Sequence, residues 1–401
     1  MTEKDIQNAD GTISQDAEII YQSIQKHFAN VKDPRRHQGQ VIHSLSHILL
    51  IVICGVTCGA NNLAAVAEYA KSKREWLGSF LEITTVPSYE TLWRVFALLD
   101  PKSLMKSFMT WTQELADSMQ GSVIAIDGKA QRGTADPAHP HSFVHIVSAW
   151  STSNKLTLGQ LKVESKANEI VAIPKLLEIL DIEGAIVTMD AMGCQTKIAE
   201  KIIEKKGNYI LGLKDNQPTL LDEAVNLFSQ IDAYGDDGRD YSKYETNESG
   251  HGREERREVC VVGNLDFLPQ KGEWAGLRSI VRIHSTRVVK DKATTESRYY
   301  LSSLPSSAQL HSENIRCHWG IENEVHWVLD VGYREDAQKA KAGNIAENMA
   351  TVRRISLNMI KQDKTVKAGV EIKRQKAGWD NKFLLQLVKD IGHKLGVKFF
   401  Q

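Results

Sequence analysis

The chain has 401 residues, 42% apolar and 25% charged, with 50 Lys and Arg balanced by 50 Asp and Glu. This is an ordinary globular composition, long enough for more than one minimal domain and a substantial core. A formal net charge of zero excludes a wholesale polycation, so affinity for a polyanion must come from local patches. The five cysteines (Cys54, Cys58, Cys194, Cys260 and Cys317) are scattered and odd in number, which points to reduced thiols rather than a disulfide or zinc framework. The opening Met1-Thr-Glu-Lys-Asp5 is polar and acidic, so a cytoplasmic location without a secretory leader is expected. The most apolar run, Ile48 to Ala60, is too short and glycine-interrupted to span a bilayer.

In chain order, residues 1–18 read as a flexible polar N-terminus and 19–118 as an all-helical region. Within it, periodicity predicts helices over 19–29, 41–60 and 63–82. Asp33-Pro-Arg35-Arg36-His37 is a basic turn between the first two, and Arg35 and Arg36 are candidate phosphate contacts. Ser88 caps a further helix that Asp100-Pro101 ends, and 102–118 form one more. The helix after Ser88 suits either a helix-turn-helix DNA reader or plain helical packing, and both readings stay open.

The pattern changes at Ser122. Strands are expected over 122–127, 143–150, 155–163, 185–190 and 208–213, with helices over 168–180, 195–206 and 219–230. That order predicts a mixed sheet with helices packed on it over 119–230. His139, His141 and His145 do not match a zinc spacing. Residues 231–305 read as a β-rich insertion with strands at 255–263, 278–288 and 296–303. Its basic piece runs from His251-Gly-Arg253 to Arg256 and Arg257, suited to a phosphate track or to a solvated edge strand. Over 306–361 two helices follow, one from Ser312 and one over 343–361; Trp319, Glu322 and His326 share a face of the first. Residues 361–401 hold ten Lys and Arg against four Asp and Glu, so the region from 362 reads as a basic tail, polyanion-binding or simply solvated.

Two apolar runs each close on an aspartate: Ile124-Ala-Ile-Asp127-Gly-Lys129 and Val187-Thr-Met-Asp190-Ala-Met-Gly193. A carboxylate is costly in the middle of a buried strand, so each is expected at a strand end facing a cleft. Two neighbouring carboxylates repel and favour a shared proton or a hard divalent cation. Each aspartate would equally serve as the cap of the turn that follows it.

These residues, with Glu322 in His318-Trp-Gly-Ile-Glu322-Asn and a β-rich insert between the second and third acids, resemble the DDE triad of bacterial insertion-sequence transposases. The likeness is nearest to the H-repeat-associated group and spans residues 20 to 361, as an ordered set of motifs. The set includes Asp33-Pro-Arg-Arg36, Pro87-Ser-Tyr-Glu-Thr91, Leu213-Lys-Asp-Asn-Gln217, His251-Gly-Arg253, Tyr300-Leu-Ser-Ser303 and His326-Trp-Val-Leu-Asp330. Related elements carry tyrosine, arginine and lysine around the glutamate, where this chain has Ile315, His318 and Leu329. The departure touches the DNA-end contacts on that helix, not the glutamate. Glu324, Glu335 and Asp336 are nearby alternatives for the third carboxylate.

The resemblance implies an α/β mixed, ribonuclease H-like (retroviral-integrase-like) core with a β-rich insertion, preceded by the all-α domain. It implies two Mg²⁺ or Mn²⁺ ions held by Asp127, Asp190 and Glu322, with Asp127 bridging both. The reaction implied is hydrolysis at element ends, then strand transfer into target DNA by a homo-oligomer on DNA. No membrane or small-molecule substrate enters, and association with the nucleoid follows from the DNA. Lys129, Lys214, Asn216, Arg253 and Arg256 are further candidate DNA contacts. Three rivals remain: a metal-dependent nuclease that does not join strands, a domesticated and catalytically inactive DNA-binding protein, and a metal-free carboxylate glycosidase.

Overall fold

The structure is a computed structural model, and it describes residues 26–36, 41–81, 83–135, 143–163, 168–250, 252–290 and 292–393. Most of the expected first helix, together with His37, His139, His141 and His251, lies outside the described residues.

After a helical stretch at 26–28, five helices precede the sheet among the described residues: α1 Leu45–Thr57, α2 Leu63–Ser72, α3 Arg74–Leu81, α4 Tyr89–Leu98 and α5 Pro101–Leu115. Side-chain caps set four of their starts. Ser44 accepts from His47 N–H, Asn62 from Ala65, Ser88 from Thr91, and Asp100 from Lys102 and Ser103. The single helix expected over 63–82 is two, because the chain turns at Lys73. α1 is apolar on nearly every face and is buried.

Nine strands follow: β1 Val123–Gln131, β2 Val144–Ser151, β3 Leu156–Val163, β4 Ile186–Met189, β5 Asn208–Leu213, β6 Tyr241–Gly250, β7 Arg253–Gly263, β8 Ser279–Val289 and β9 Lys292–Ser302. They form one sheet in the order β3-β2-β1-β4-β5-β9-β8-β7-β6. β1, β4 and β5 run parallel, and every other neighbouring pair is antiparallel. Helices α6 Glu169–Ile179, α7 Thr196–Glu204 and α8 Pro218–Tyr234 supply the connections between strands.

Two expectations change here. The β-rich stretch continues the main sheet, because β9 pairs with β5 from Ile210↔Ser302 to Leu213↔Tyr299. It also has a fourth strand, β6, whose residues Tyr-Ser-Lys-Tyr-Glu-Thr-Asn-Glu-Ser-Gly carry no apolar alternation.

After the sheet come α9 Ala308–His318, a π-helical turn Ile321–His326 and α10 Trp327–Val331. Then follow α11 Ile345–Gln362, α12 Val370–Trp379 and α13 Asn381–His393. α11 is buried from Ile345 to Ile360 and joins the helices to the sheet. Its Asn348 amide donates to Phe96 and Leu99 carbonyls, and Asn358 bonds the backbone of Thr157 on β3. One apolar core therefore runs from Leu49 in α1 to Ile124 in β1.

Within the described part of the basic C-terminal stretch, two cations are interior and not solvated. Lys373 and Arg374 are 7% and 3% exposed. Lys373 pairs with Asp363 at 2.8 Å, and Arg374 donates to Val56 O and Asn61 Oδ1 while its guanidinium lies 3.8 Å from the Tyr333 ring centre. Among the described residues no helix is long and apolar enough to cross a membrane.

Candidate active site

Register brings the two aspartates together. Parallel pairing of β1 with β4 ends at Ile126↔Met189, so Asp127 and Asp190 are the next residue on each strand. Strands so paired lie about 4.8 Å apart, and successive side chains alternate faces, so both aspartates leave the sheet on one side. β1 itself continues to Gln131 by pairing with β2, with Asp127 opposite Ser148. Asp127 is thus at a strand end only with respect to β4, a correction to the simple strand-end expectation. The carboxyl ends of parallel strands are where open α/β sheets bind ligands.

Glu322 comes from the π-helical turn, which packs against β1 through the segment that starts with α9. π turns hold one extra residue per turn and recur at functional sites. Burial raises the Asp127 carboxyl to about 7; Asp190, Glu322 and Glu169 push it the same way, and its bond from Gly128 N–H works against them. Burial also raises Glu322, opposed by Arg298 and aided by Asp190. The three acids thus act on one another electrostatically, although among the described residues no three His, Cys, Asp or Glu converge tightly enough to hold an ion as they stand.

The other acids near Glu322 are committed elsewhere. Glu324 bridges Lys155 at 2.6 Å and Lys361 at 3.1 Å. Glu335 is fully buried against Arg353 and Arg354. Asp336 accepts from the backbone N–H of Arg132. Glu322, in contrast, is coupled electrostatically to Asp127 and Asp190.

Around Asp127 lies a set of side chains with no signal in the sequence. His145 on β2 pairs with Glu169 at the start of α6, both 4% exposed. A side chain at Gly128 would collide with this pair, so glycine there makes room for it. His326 Nδ1 lies 3.4 Å from Asp127 Oδ2. Burial and the cations of Arg354 and Lys129 lower His326 to about 3, so this is a contact of a neutral ring and not an ion pair.

The Asp127 shift carries a stability prediction. Its folded-state value of about 7 exceeds the ordinary 3.8, so the fold prefers the protonated acid. That preference is fully present below about pH 4 and is lost as pH rises through 7. Metal-free D127N should therefore gain on the native chain as pH rises from 4 to 8, by about 2–4 kcal/mol, then level off. Urea titrations of both proteins at each pH check this; a difference independent of pH would refute it.

The candidate DNA contacts separate by face. An open cleft of about 970 Å³ lies between β7, β8, β9 and α9, lined by Arg253, Arg257, Arg287, Arg298, Arg316 and Trp319 together with Glu255, Glu296 and Glu324, and reaching Asn323 beside Glu322; Arg257 pairs with Glu255 at 2.7 Å and Arg298 with Glu296 at 2.8 Å. Arg298 stacks over Trp319 at 5.0 Å. Arg253 belongs to this cleft, but Arg256 points to the other face of β7 and pairs with Glu245, because strand residues alternate. Lys129 is 7% exposed and paired with Asp330 at 2.5 Å, so it is not free for a phosphate. Asn216 is also occupied: its amide donates to Ala191 O at 2.7 Å and Cys194 O at 3.3 Å, bracing the loop that follows Asp190. Lys214 is exposed at the end of β5. Arg35 is clamped on Asp33 and the His43 carbonyl, while Arg36 is exposed. The cleft arginines were readable in part, since Arg253, Glu255 and Arg257 alternate along one strand; those of β8, β9 and α9 needed the fold.

The family described as "Transposase DDE domain" matches residues 118–359, and "DDE_Tnp_1-associated" matches 25–112. "Putative transposase YncI" of Escherichia coli O157:H7 is 37% identical over 364 residues, 88% of this chain and 91% of that protein. "H repeat-associated putative transposase YhhI" of Escherichia coli (strain K12) is 35% identical over 378 residues, 92% of this chain and 98% of that protein. The chain belongs to the DDE transposases of bacterial insertion sequences.

Proposed function

We propose that the chain cuts DNA at the ends of a mobile element and joins the freed 3′ ends to target DNA, using Asp127, Asp190 and Glu322 as its catalytic acids. The observation that supports this reading is that two of the acids sit in register where β1 and β4 part, while the third lies on a π-helical turn packed on β1 and is coupled to them electrostatically. A ribonuclease H-like core is favoured by the strand order, with β1 between an antiparallel hairpin and two parallel strands.

The donor set fits a divalent metal. All three candidate ligands are carboxylates, the hard oxygen donors that Mg²⁺ and Mn²⁺ take, and the upward push on Asp127, from burial first and then from Asp190, Glu322 and Glu169, is one a bound cation would oppose. When bound, such ions activate the attacking oxygen and stabilise the leaving one. The protein's own residues then do the rest. Gly128 N–H orients the Asp127 carboxylate at 2.8 Å, and Asn216 holds the loop after Asp190. The arginine cleft is suited to the phosphate backbone, leading it toward Glu322. Two copies acting on paired ends complete the proposed assembly.

The test is a duplex ending in the DNA that borders the gene, incubated with the full chain and Mg²⁺. Nicking at the junction, and joining of a pre-cleaved duplex to a plasmid, are expected. Nicking without joining would make it a nuclease. Binding without nicking in Mg²⁺ or Mn²⁺ would remove the enzymatic reading.

The cleft makes a further prediction. R253A and R287A should each weaken DNA binding several-fold, and each should lower the salt slope by about one, the signature of one phosphate no longer neutralised. R256A, on the opposite face, should stay within about twofold of native. Fluorescence anisotropy across a salt series decides; equal losses for all three would refute the cleft as the DNA track.

A further inference from the structure

Glu322 is exposed, so the helical segment that carries it has to set its position. That segment meets the two aspartate strands through histidines placed four residues on either side of the glutamate. His318 Nδ1 lies 3.0 Å from Thr188 Oγ1, and Thr188 is two residues before Asp190, on the same face of β4. His326 Nδ1 lies 3.4 Å from Asp127 Oδ2. In an unbroken α-helix, eight residues would leave the two rings roughly 80° apart around the axis. The wider turn from Ile321 to His326 absorbs about one residue and removes most of that angle. Both rings then face the sheet.

We propose that His318 and His326 are positioning residues, a two-point clasp that seats the Glu322 segment on β1 and β4, with His326 also fixing the Asp127 side chain. The proposal rests on the triad reading above. His326 is a poor choice for filling space alone: its Nε2 is buried without a hydrogen-bond partner, which costs stability an apolar residue would keep. The ring's other nitrogen is the one turned toward Asp127. Groups that orient metal-binding carboxylates without touching the metal affect metal affinity by about 10–100-fold. Misplacing a reacting group by about 1 Å can cost about 10²-fold in rate.

The experiment uses the full chain, the border-DNA duplex and Mg²⁺. H326A should keep DNA binding within about twofold while losing roughly 10²-fold in cleavage, with a higher Mg²⁺ concentration for half-maximal rate. H326N, which can offer an amide nitrogen where Nδ1 lies, should recover about tenfold of that loss. Cleavage by H326A within about threefold of native would overturn the proposal, as would an asparagine variant no better than alanine at unchanged Mg²⁺ dependence. Should H326A fail to fold, T188V tests the other point: it keeps the shape of Thr188 and removes the hydroxyl. T188V and H318A should each raise the Mg²⁺ requirement, and the double variant should be no worse than the poorer single one; additive losses would overturn the clasp. If D127N and E322Q cleave like the native protein, the triad reading falls instead, whatever the histidines do.

Discussion

D127N should lose at least about 10³-fold in DNA cleavage while binding the same duplex with near-native affinity. The expectation follows from where Asp127 stands. It is the acid whose side chain is raised by both other acids, is oriented by Gly128 N–H and touches His326. Asparagine keeps the size and one oxygen but cannot supply the negative charge that a cation or an activated nucleophile needs. A loss of several kcal/mol in transition-state stabilisation corresponds to that factor, since each 1.36 kcal/mol is tenfold. DNA binding should survive because no residue of β1 lines the arginine cleft, whose walls are β7, β8, β9 and α9. Cleavage and anisotropy on one preparation give both numbers. Cleavage within tenfold of native would remove Asp127 from the chemistry, and a parallel loss of binding would mean that the substitution damages the fold.

The second large effect is on stability. Glu335 should be the most costly single acid to remove, with E335A losing about 3–5 kcal/mol. It is fully buried, with Arg354 Nη1 at 3.0 Å and Arg353 Nη1 at 3.8 Å, and both arginines are at most 1% exposed. Deleting the acid leaves two guanidinium charges facing each other in the core. A triple variant with leucine at Glu335 and methionine at Arg353 and Arg354 should lose much less, because no charge is then stranded. Urea midpoints for the two variants test this; equal losses would show that shape and not charge governs the site.

Much of the central sheet was legible in the sequence because its strands are apolar runs bounded by abrupt polar changes. Val123 to Ile126 and Ile186 to Met189 are such runs, and Ser88 marks a helix start with equal clarity, whereas Asp100, read as the end of that helix, also caps the next one. Strand β6 was hidden because its side chains are polar on both faces, its place fixed by pairing with β7. The two arginines of the basic motif could not be sorted without register: Arg253 faces the cleft and Arg256 faces away. Lys129 and Asn216 looked like free polar groups, yet partners distant in sequence, Asp330 for the one and Ala191 for the other, take them up. The C-terminal charges misled for the same reason, since Lys373 and Arg374 find their partners in the interior. The π-helical turn has no composition of its own; it is a property of how the segment lies across β1.

The Arg374 contacts have a consequence for the newborn chain. This residue grips Val56 and Asn61, 318 and 313 positions before it, and stacks on Tyr333, just beyond the segment that bears Glu322. A ribosome must therefore have carried synthesis past Arg374 before these pieces can lock together. Any gene copy interrupted upstream of this codon would yield a protein whose first helices lack their final brace.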